Sequence, residues 1–189
     1  MSEGINKFKL DDGETLLWSG KPEPFEVNDS VYKDHNKKTT IISIAVYAVF
    51  LIAFLALALT RDTEIGKTVI TALIVGAIPV TYIVRPKTEA RKIGMSTYYL
   101  TDKRAIVQVK DECRSLELGK DTPCRFEKLD NGADVLYMGD AVSSKATNAR
   151  HAATVGITDE NHTISGLVFY SIKDARKLAL KVPQLVVTQ

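Results

Sequence analysis

The sequence predicts a membrane-anchored α+β protein: a two-helix transmembrane hairpin, then an antiparallel β domain closed by a C-terminal helix. Three observations point there. Two uncharged apolar windows lie at 41–59 and 68–84. Beyond them, short apolar runs alternate with turn signals from Ser96 to Ser171. The chain ends in a segment whose apolar residues recur at helical spacing.

The first window, "IISIAVYAVFLIAFLALAL", holds about 19 residues, and a helix of that length covers roughly 28 Å, close to a bilayer core. The second, "TVITALIVGAIPVTYIV", carries Gly76 and Pro79, which membrane helices tolerate better than soluble ones. A chain of 189 residues has no core wide enough to cover two such helices on all sides. The first window starts too far into the chain for a cleaved signal peptide. Lys33, Lys37 and Lys38 precede the first window, and Arg85, Lys87, Arg91 and Lys92 follow the second. In the connecting loop, Arg61 and Lys67 are set against Asp62 and Glu64. The positive-inside rule then puts both termini in the cytoplasm, as in a multi-pass protein of the inner (cytoplasmic) membrane.

Three parts follow: a polar N-terminal segment, 1–40, with one apolar knot "TLLWSG"; the hairpin, 41–84; and a cytoplasmic domain, 93–189. In the last, strands are expected at 97–101 and 104–110 around Asp102 and Lys103, then at 115–118, 124–129 and 134–138. "DNGA" at 130–133 is a turn. The polar stretch 139–161 reads as a long loop, and "TISGLVFYS" as a strand. Ser171 and Asp174 have the spacing of an N-cap and its acidic N3 partner. Ile172, Ala175, Leu178, Ala179 and Val182 share one helical face, and Pro183 ends the helix.

Two motifs stand out: "GETLLWSGKP", with Gly13, Glu14, Leu17, Trp18, Ser19, Gly20 and Pro22, and "YYLTDKRAIV", with Tyr98, Leu100, Thr101, Asp102 and Arg104. In this order, around a hairpin and before a terminal "FYSIKDARKLALKV", they resemble the bacterial pleckstrin-homology (PH-like) membrane proteins. The resemblance spans nearly the whole chain. It implies a PH-like fold, a seven-stranded bent antiparallel sheet or barrel capped by a C-terminal helix, and it brings no catalytic or ligand residues with it. It also suggests that Trp18 packs onto the C-terminal domain, on an added strand near 14–19 or against the sheet. The alternative is a tryptophan at the lipid headgroups.

Chemistry is sparse. There is no P-loop, no GxSxG, no HExxH and no dinucleotide glycine fingerprint, so no enzyme activity and no cofactor is expected. Cys113 and Cys124 read as reduced cytoplasmic thiols, and no histidine pair completes a zinc set. His151 beside Arg150 reads as a solvated loop tip. Lys103 and Arg104 sit on the first hairpin turn of the C-terminal domain. Either they grip anionic headgroups with Lys145 and Arg150, or they are a solvated turn and a structural arginine. Residues 93–189 hold 13 Lys and Arg against 12 Asp and Glu. So small an excess gives no field to draw the domain onto lipid, and the structural reading is favoured. Basic charge gathers at the membrane flanks, and no nucleic-acid recognition motif is present. The expected function is a non-catalytic, membrane-tethered module for protein–protein interaction or self-assembly into a homo-oligomer, anchored in the lipid bilayer. The alternative is an anionic-lipid sensor.

Overall fold

The computed structural model describes residues 8–60, 71, 80–81, 84–145 and 148–188. The chain divides into two compact units, Met1–Tyr32 with Glu89–Gln189, and Lys33–Thr88.

The second unit contains helix α1, Lys33–Thr60. Its stretch Asn36–Ala56 is long and apolar enough to cross a membrane. Apolar side chains point outward all round it; Val49 and Ile52 are each 68 % exposed. A helix apolar on every face has no soluble side to present, which favours contact with lipid. Among the described residues α1 alone meets this criterion. The predicted second span, 68–84, lies largely outside the described residues, so a hairpin is not established. Helical structure is described again over residues 84–94, α2.

The first unit is built on two sheets. The first has the order β1-β2-β3-β4, with β1 Leu16–Gly20, β2 Ser96–Thr101, β3 Arg104–Val109 and β4 Glu112–Glu117. The second has the order β7-β8-β6-β5-β9, with β5 Thr122–Lys128, β6 Asp134–Gly139, β7 Ile157–Thr158, β8 Ile164–Ile172 and β9 Leu185–Val187. All pairings are antiparallel except β5 with β9. The "DNGA" turn joins β5 to β6, where Gly132 takes a φ of +81° and the Asn131 side chain accepts the Ala133 N–H.

One apolar cluster gathers Tyr98, Leu100, Val107, Leu136, Met138, Leu167 and Phe169. A second, on the opposite face of β6 and β8, takes Val135, Tyr137, Val168 and Tyr170 together with Ile93, Ala149 and Ala152. "VLYM" in β6 and "LVFY" in β8 are unbroken apolar runs because both faces of those strands are covered. That double burial corrects the reading of 139–161 as a long solvated loop. A 3₁₀ turn, Asp140–Ser143, and a short helix α3, Ala149–Ala152, bring buried alanines onto the outer face of the second sheet. Gly139 permits the tight exit from β6: its φ is +63°, and a Cβ there would lie 2.3 Å from the Ser165 carbonyl oxygen.

The C-terminal helix is also shorter than expected. Ser171 is still in β8, and the helix α4 is only Ala175–Ala179. Asp174 stands at its N-cap in a left-handed conformation and makes no side-chain cap bond. Asp134, from β6, accepts the Ala175 N–H instead. The predicted apolar face is nonetheless buried: Ile172, Ala175, Leu178, Ala179 and Val182. After Pro183 the chain forms β9, a strand that no periodicity announced because it is three residues long.

The N-terminal knot is the first strand of the first sheet. Trp18 lies opposite Leu100, and its ring is 6.0 Å from that of Phe169. Gly20 makes room for it, since a Cβ there would fall 2.4 Å from the indole. Replacing Trp18 by Ala removes this packing and is expected to destabilise the unit by about 2 kcal/mol. Denaturant unfolding of the full chain in micelles measures it, and native tryptophan emission well to the blue of free tryptophan is the accompanying signature.

Candidate functional site

The residues singled out in the sequence fall into two internal networks and two exposed positions. The first network joins the two motifs. Glu14, whose side chain is wholly buried, receives hydrogen bonds from Arg104 Nε (2.8 Å), Arg104 Nη2 (2.8 Å) and the Thr101 hydroxyl (2.7 Å). Arg104 also reaches Asp11 at 3.2 Å and donates to the Lys9 carbonyl. Asp102 closes the end of the β1–β2 pairing: its Oδ1 accepts the Thr15 N–H at 2.7 Å, and its own N–H donates to the Thr15 carbonyl. The bidentate, charge-assisted pair of Arg104 and Glu14 is among the strongest polar contacts a protein makes. The hydrogen bonds from Arg104 hold the Glu14 carboxyl at about 2, down from an ordinary 4.5, with Thr101 adding to the effect and burial opposing it.

The second network was not legible in the sequence. Arg150, expected at a solvated loop tip and as a lipid or partner contact, is fully buried. Its Nη2 donates to Asp29 Oδ2 at 2.9 Å and to the Glu26 carbonyl at 3.1 Å. Its Nε donates to the Tyr170 hydroxyl, which itself donates to Asp29 Oδ2 at 2.5 Å. The guanidinium lies 4.3 Å from the centre of the Tyr32 ring. An arginine stays charged at any pH the fold survives, so burying it demands this set of anion, carbonyl and ring faces. One terminal nitrogen, Nη1, has no hydrogen-bond partner among the described residues. Arg150 is thus an internal clamp on the segment that leads into α1, and its burial keeps it from a headgroup.

Lys103 and Lys145 are exposed. Lys103 Nζ lies 3.3 Å from the Asp12 carbonyl, on the same turn as Arg104. Lys145 is on the far side of the 3₁₀ turn in sequence and belongs to neither network. The four cations named by the lipid reading therefore do not form one basic face: two are turned inward onto carboxylates.

Cys113 and Cys124 are free thiols, and burial pushes both up from the ordinary thiol range, the reverse of activation. Among the described residues no group of His, Cys, Asp and Glu is arranged to hold a metal ion. Outward-facing features are of another kind. Among the described residues β9 ends the second sheet with one side unpaired, and Val186 and Val187 are exposed.

No family model, curated protein or solved structure matches this chain.

Two outcomes test the networks. Because the Glu14 carboxyl is lowered, its stabilisation is complete above about 4.5 and is lost as pH falls towards 2. Glu14→Gln should lose stability at pH 6 and show a flatter decline than the wild type below pH 4.5. The difference, on the order of 2–3 kcal/mol, is read by denaturant unfolding at each pH. For the second network, Asp29→Ala strands a buried cation and should cost about 3–5 kcal/mol. Arg150→Met added to it should recover part of that loss, and a double-mutant cycle should give a coupling above about 1 kcal/mol.

Proposed function

We propose that this chain is a membrane-anchored, non-catalytic PH-like module that meets a protein partner, or another copy of itself, at the cytoplasmic membrane face. The observation that carries the reading is the direction of its charges. Arg104 and Arg150, the two arginines that the lipid reading names, are engaged by Glu14 and Asp29, while an apolar strand edge with Val186 and Val187 faces outward. Open strand edges are common sites of protein recognition.

The PH-like assignment draws support from the arrangement of the first unit. A four-stranded sheet, β1 to β4, is followed by β5, β6 and β8 in a second sheet, and by a short helix whose apolar face is buried in the cluster shared with both. The two motifs of the resemblance become intelligible on this reading: Glu14, Thr101, Asp102 and Arg104 fasten β1 to the sheet, and Trp18 with Gly20 seats it. Anchoring rests on α1 and on the apolar window 68–84, which together form the proposed hairpin with both termini in the cytoplasm.

Hydrogen exchange of the full chain in nanodiscs tests the reading against lipid sensing. Protection at residues 101–104 should be the same in neutral and anionic lipid and unaffected by Lys103→Glu, while cross-linking in intact membranes yields a discrete adduct. Protection that rises with anionic lipid and disappears in Lys103→Glu would transfer the function to lipid sensing.

A further inference from the structure

We infer that the outer edge of β9, with the groove beside it, docks an extended acidic segment of a partner protein as a further strand of the second sheet. This rests on the interaction reading above and names the site and the chemistry of its occupant.

The backbone is suitably presented. β9 pairs with β5 in parallel, Thr122 with Leu185 and Cys124 with Val187, and is the last strand in its sheet. The Thr188 N–H donates to the Cys124 carbonyl at 2.8 Å, so the groups of Thr188 point towards β5. Backbone groups alternate in direction along a strand, which turns the N–H and C=O of Val187 outward. The Leu185 carbonyl shares that outward direction, while its N–H is taken by Val182. An incoming strand would find a donor and two acceptors in register.

Nothing on β9 guards this edge. Leu-Val-Val contains no charge and no proline, whereas β4, at the edge of the first sheet, carries Glu112, Arg114 and Glu117. Charges on edge strands are a usual defence against pairing, so their absence here leaves pairing open.

The groove sets the side-chain preference. About 450 Å³ in volume, it is lined by Phe126, Arg176, Leu180, Val182, Leu185 and Val187 among others. Leu180 is 84 % exposed at its rim. In the adjoining hollow, which Arg176 and Phe126 also line, Lys128 is matched by Asp134 at 3.0 Å and Lys177 by Asp174 at 3.1 Å. Arg176, its guanidinium 5.9 Å from the Phe126 ring centre, has no carboxylate partner among the described residues. Side chains two apart on a strand share a face. A partner strand beside β9 would therefore seat an apolar side chain in the groove and bring a carboxylate two positions away to Arg176, whose fork favours that anion.

The test is selection of random decapeptides displayed on phage against the full chain in nanodiscs. The expected result is enrichment of an acidic residue two positions from an aliphatic one. Arg176→Glu should reverse the preference to a basic residue. Val187→Pro, which removes an outward N–H that the fold does not use, should weaken binding of a selected peptide about tenfold or more, with the thermal midpoint unchanged. Failure to enrich, enrichment without an acidic residue, or binding indifferent to both substitutions would overturn the proposal. Light scattering of the full chain separates its fate from that of the parent reading. A dimer abolished by Val187→Pro would make the occupant a second copy, sinking the acidic partner while sparing an interaction role. Absence of selected peptides, dimer and membrane cross-links together would remove both.

Discussion

The first sheet depends on a pairing between strands that are neighbours in space but far apart in the chain. β1 ends at Gly20 and β2 starts at Ser96, and residues 21–95, with α1 among them, lie between. No tight turn fixes their register. Closing so long a loop costs conformational entropy that backbone pairing over a few residues does not comfortably offset. Side chains supply what a hairpin turn would otherwise provide. Glu14, Thr101, Asp102 and Arg104 fix one end of β1. At the other, the Glu23 N–H donates to the Ser171 carbonyl, the Ser171 hydroxyl donates to the Glu23 carbonyl, and Asn131 donates to the Pro24 carbonyl. Ser171 adopts a φ of +55°, which re-aims the end of β8 towards the passing chain. Arg150 then holds Glu26 and Asp29 just before the chain leaves this unit.

This mode of anchoring takes Arg104 and Arg150 out of the unit's basic surface, which its exposed lysines still supply. A cation used as an internal clamp is desolvated, surrounded by aromatic faces and matched by one carboxylate; it contributes little field at the surface. Tyr170 shows how tightly such a clamp is built. Its hydroxyl donates to Asp29 and accepts from Arg150, and burial raises it above the ordinary phenol range, so it remains a donor throughout the pH range in which the protein is folded. The surface cations that remain, Lys103 and Lys145 among them, are interspersed with exposed carboxylates such as Asp111, Glu112 and Glu117.

Much of the β unit was legible, for identifiable reasons. β2, β3 and β6 carry strong apolar patterns separated by Asp102–Lys103 and by Asn131–Gly132, and their bounds lie within a residue or so of expectation. The elements that escaped notice were held by partners distant in sequence. α3 is a single turn with two buried alanines and a buried arginine, a composition that resembles a polar loop until Asp29 and Tyr170 are brought to it. The start of α4 was misplaced because Ser171 and Asp174 imitate a local capping pair, while the cap is supplied by Asp134 from another strand. Among the site residues, the weak net charge favoured a structural Arg104, which Glu14 engages, but nothing local to Arg150 distinguished it from a solvated cation. The continuous apolar runs in β6 and β8 did carry part of the missing information: strands apolar on both faces require a second covering layer, to which 139–161, the N-terminal connector and Ile93 all contribute.

The interruption between β1 and β2 also imposes an order in time. At about 5–20 residues per second, roughly eight to thirty seconds of synthesis separate β1 from the last residues of β8, which carry Phe169, Tyr170 and Ser171. Until its end Trp18 lacks Phe169, and for about the first half of it Glu14 lacks Arg104. The first strand to be made is thus among the last to be satisfied, and the nascent chain carries an unpaired apolar strand while its most hydrophobic helix is being produced. Cellular yield of this protein should accordingly be governed by how well that waiting segment is shielded, more than by the stability of the finished sheet.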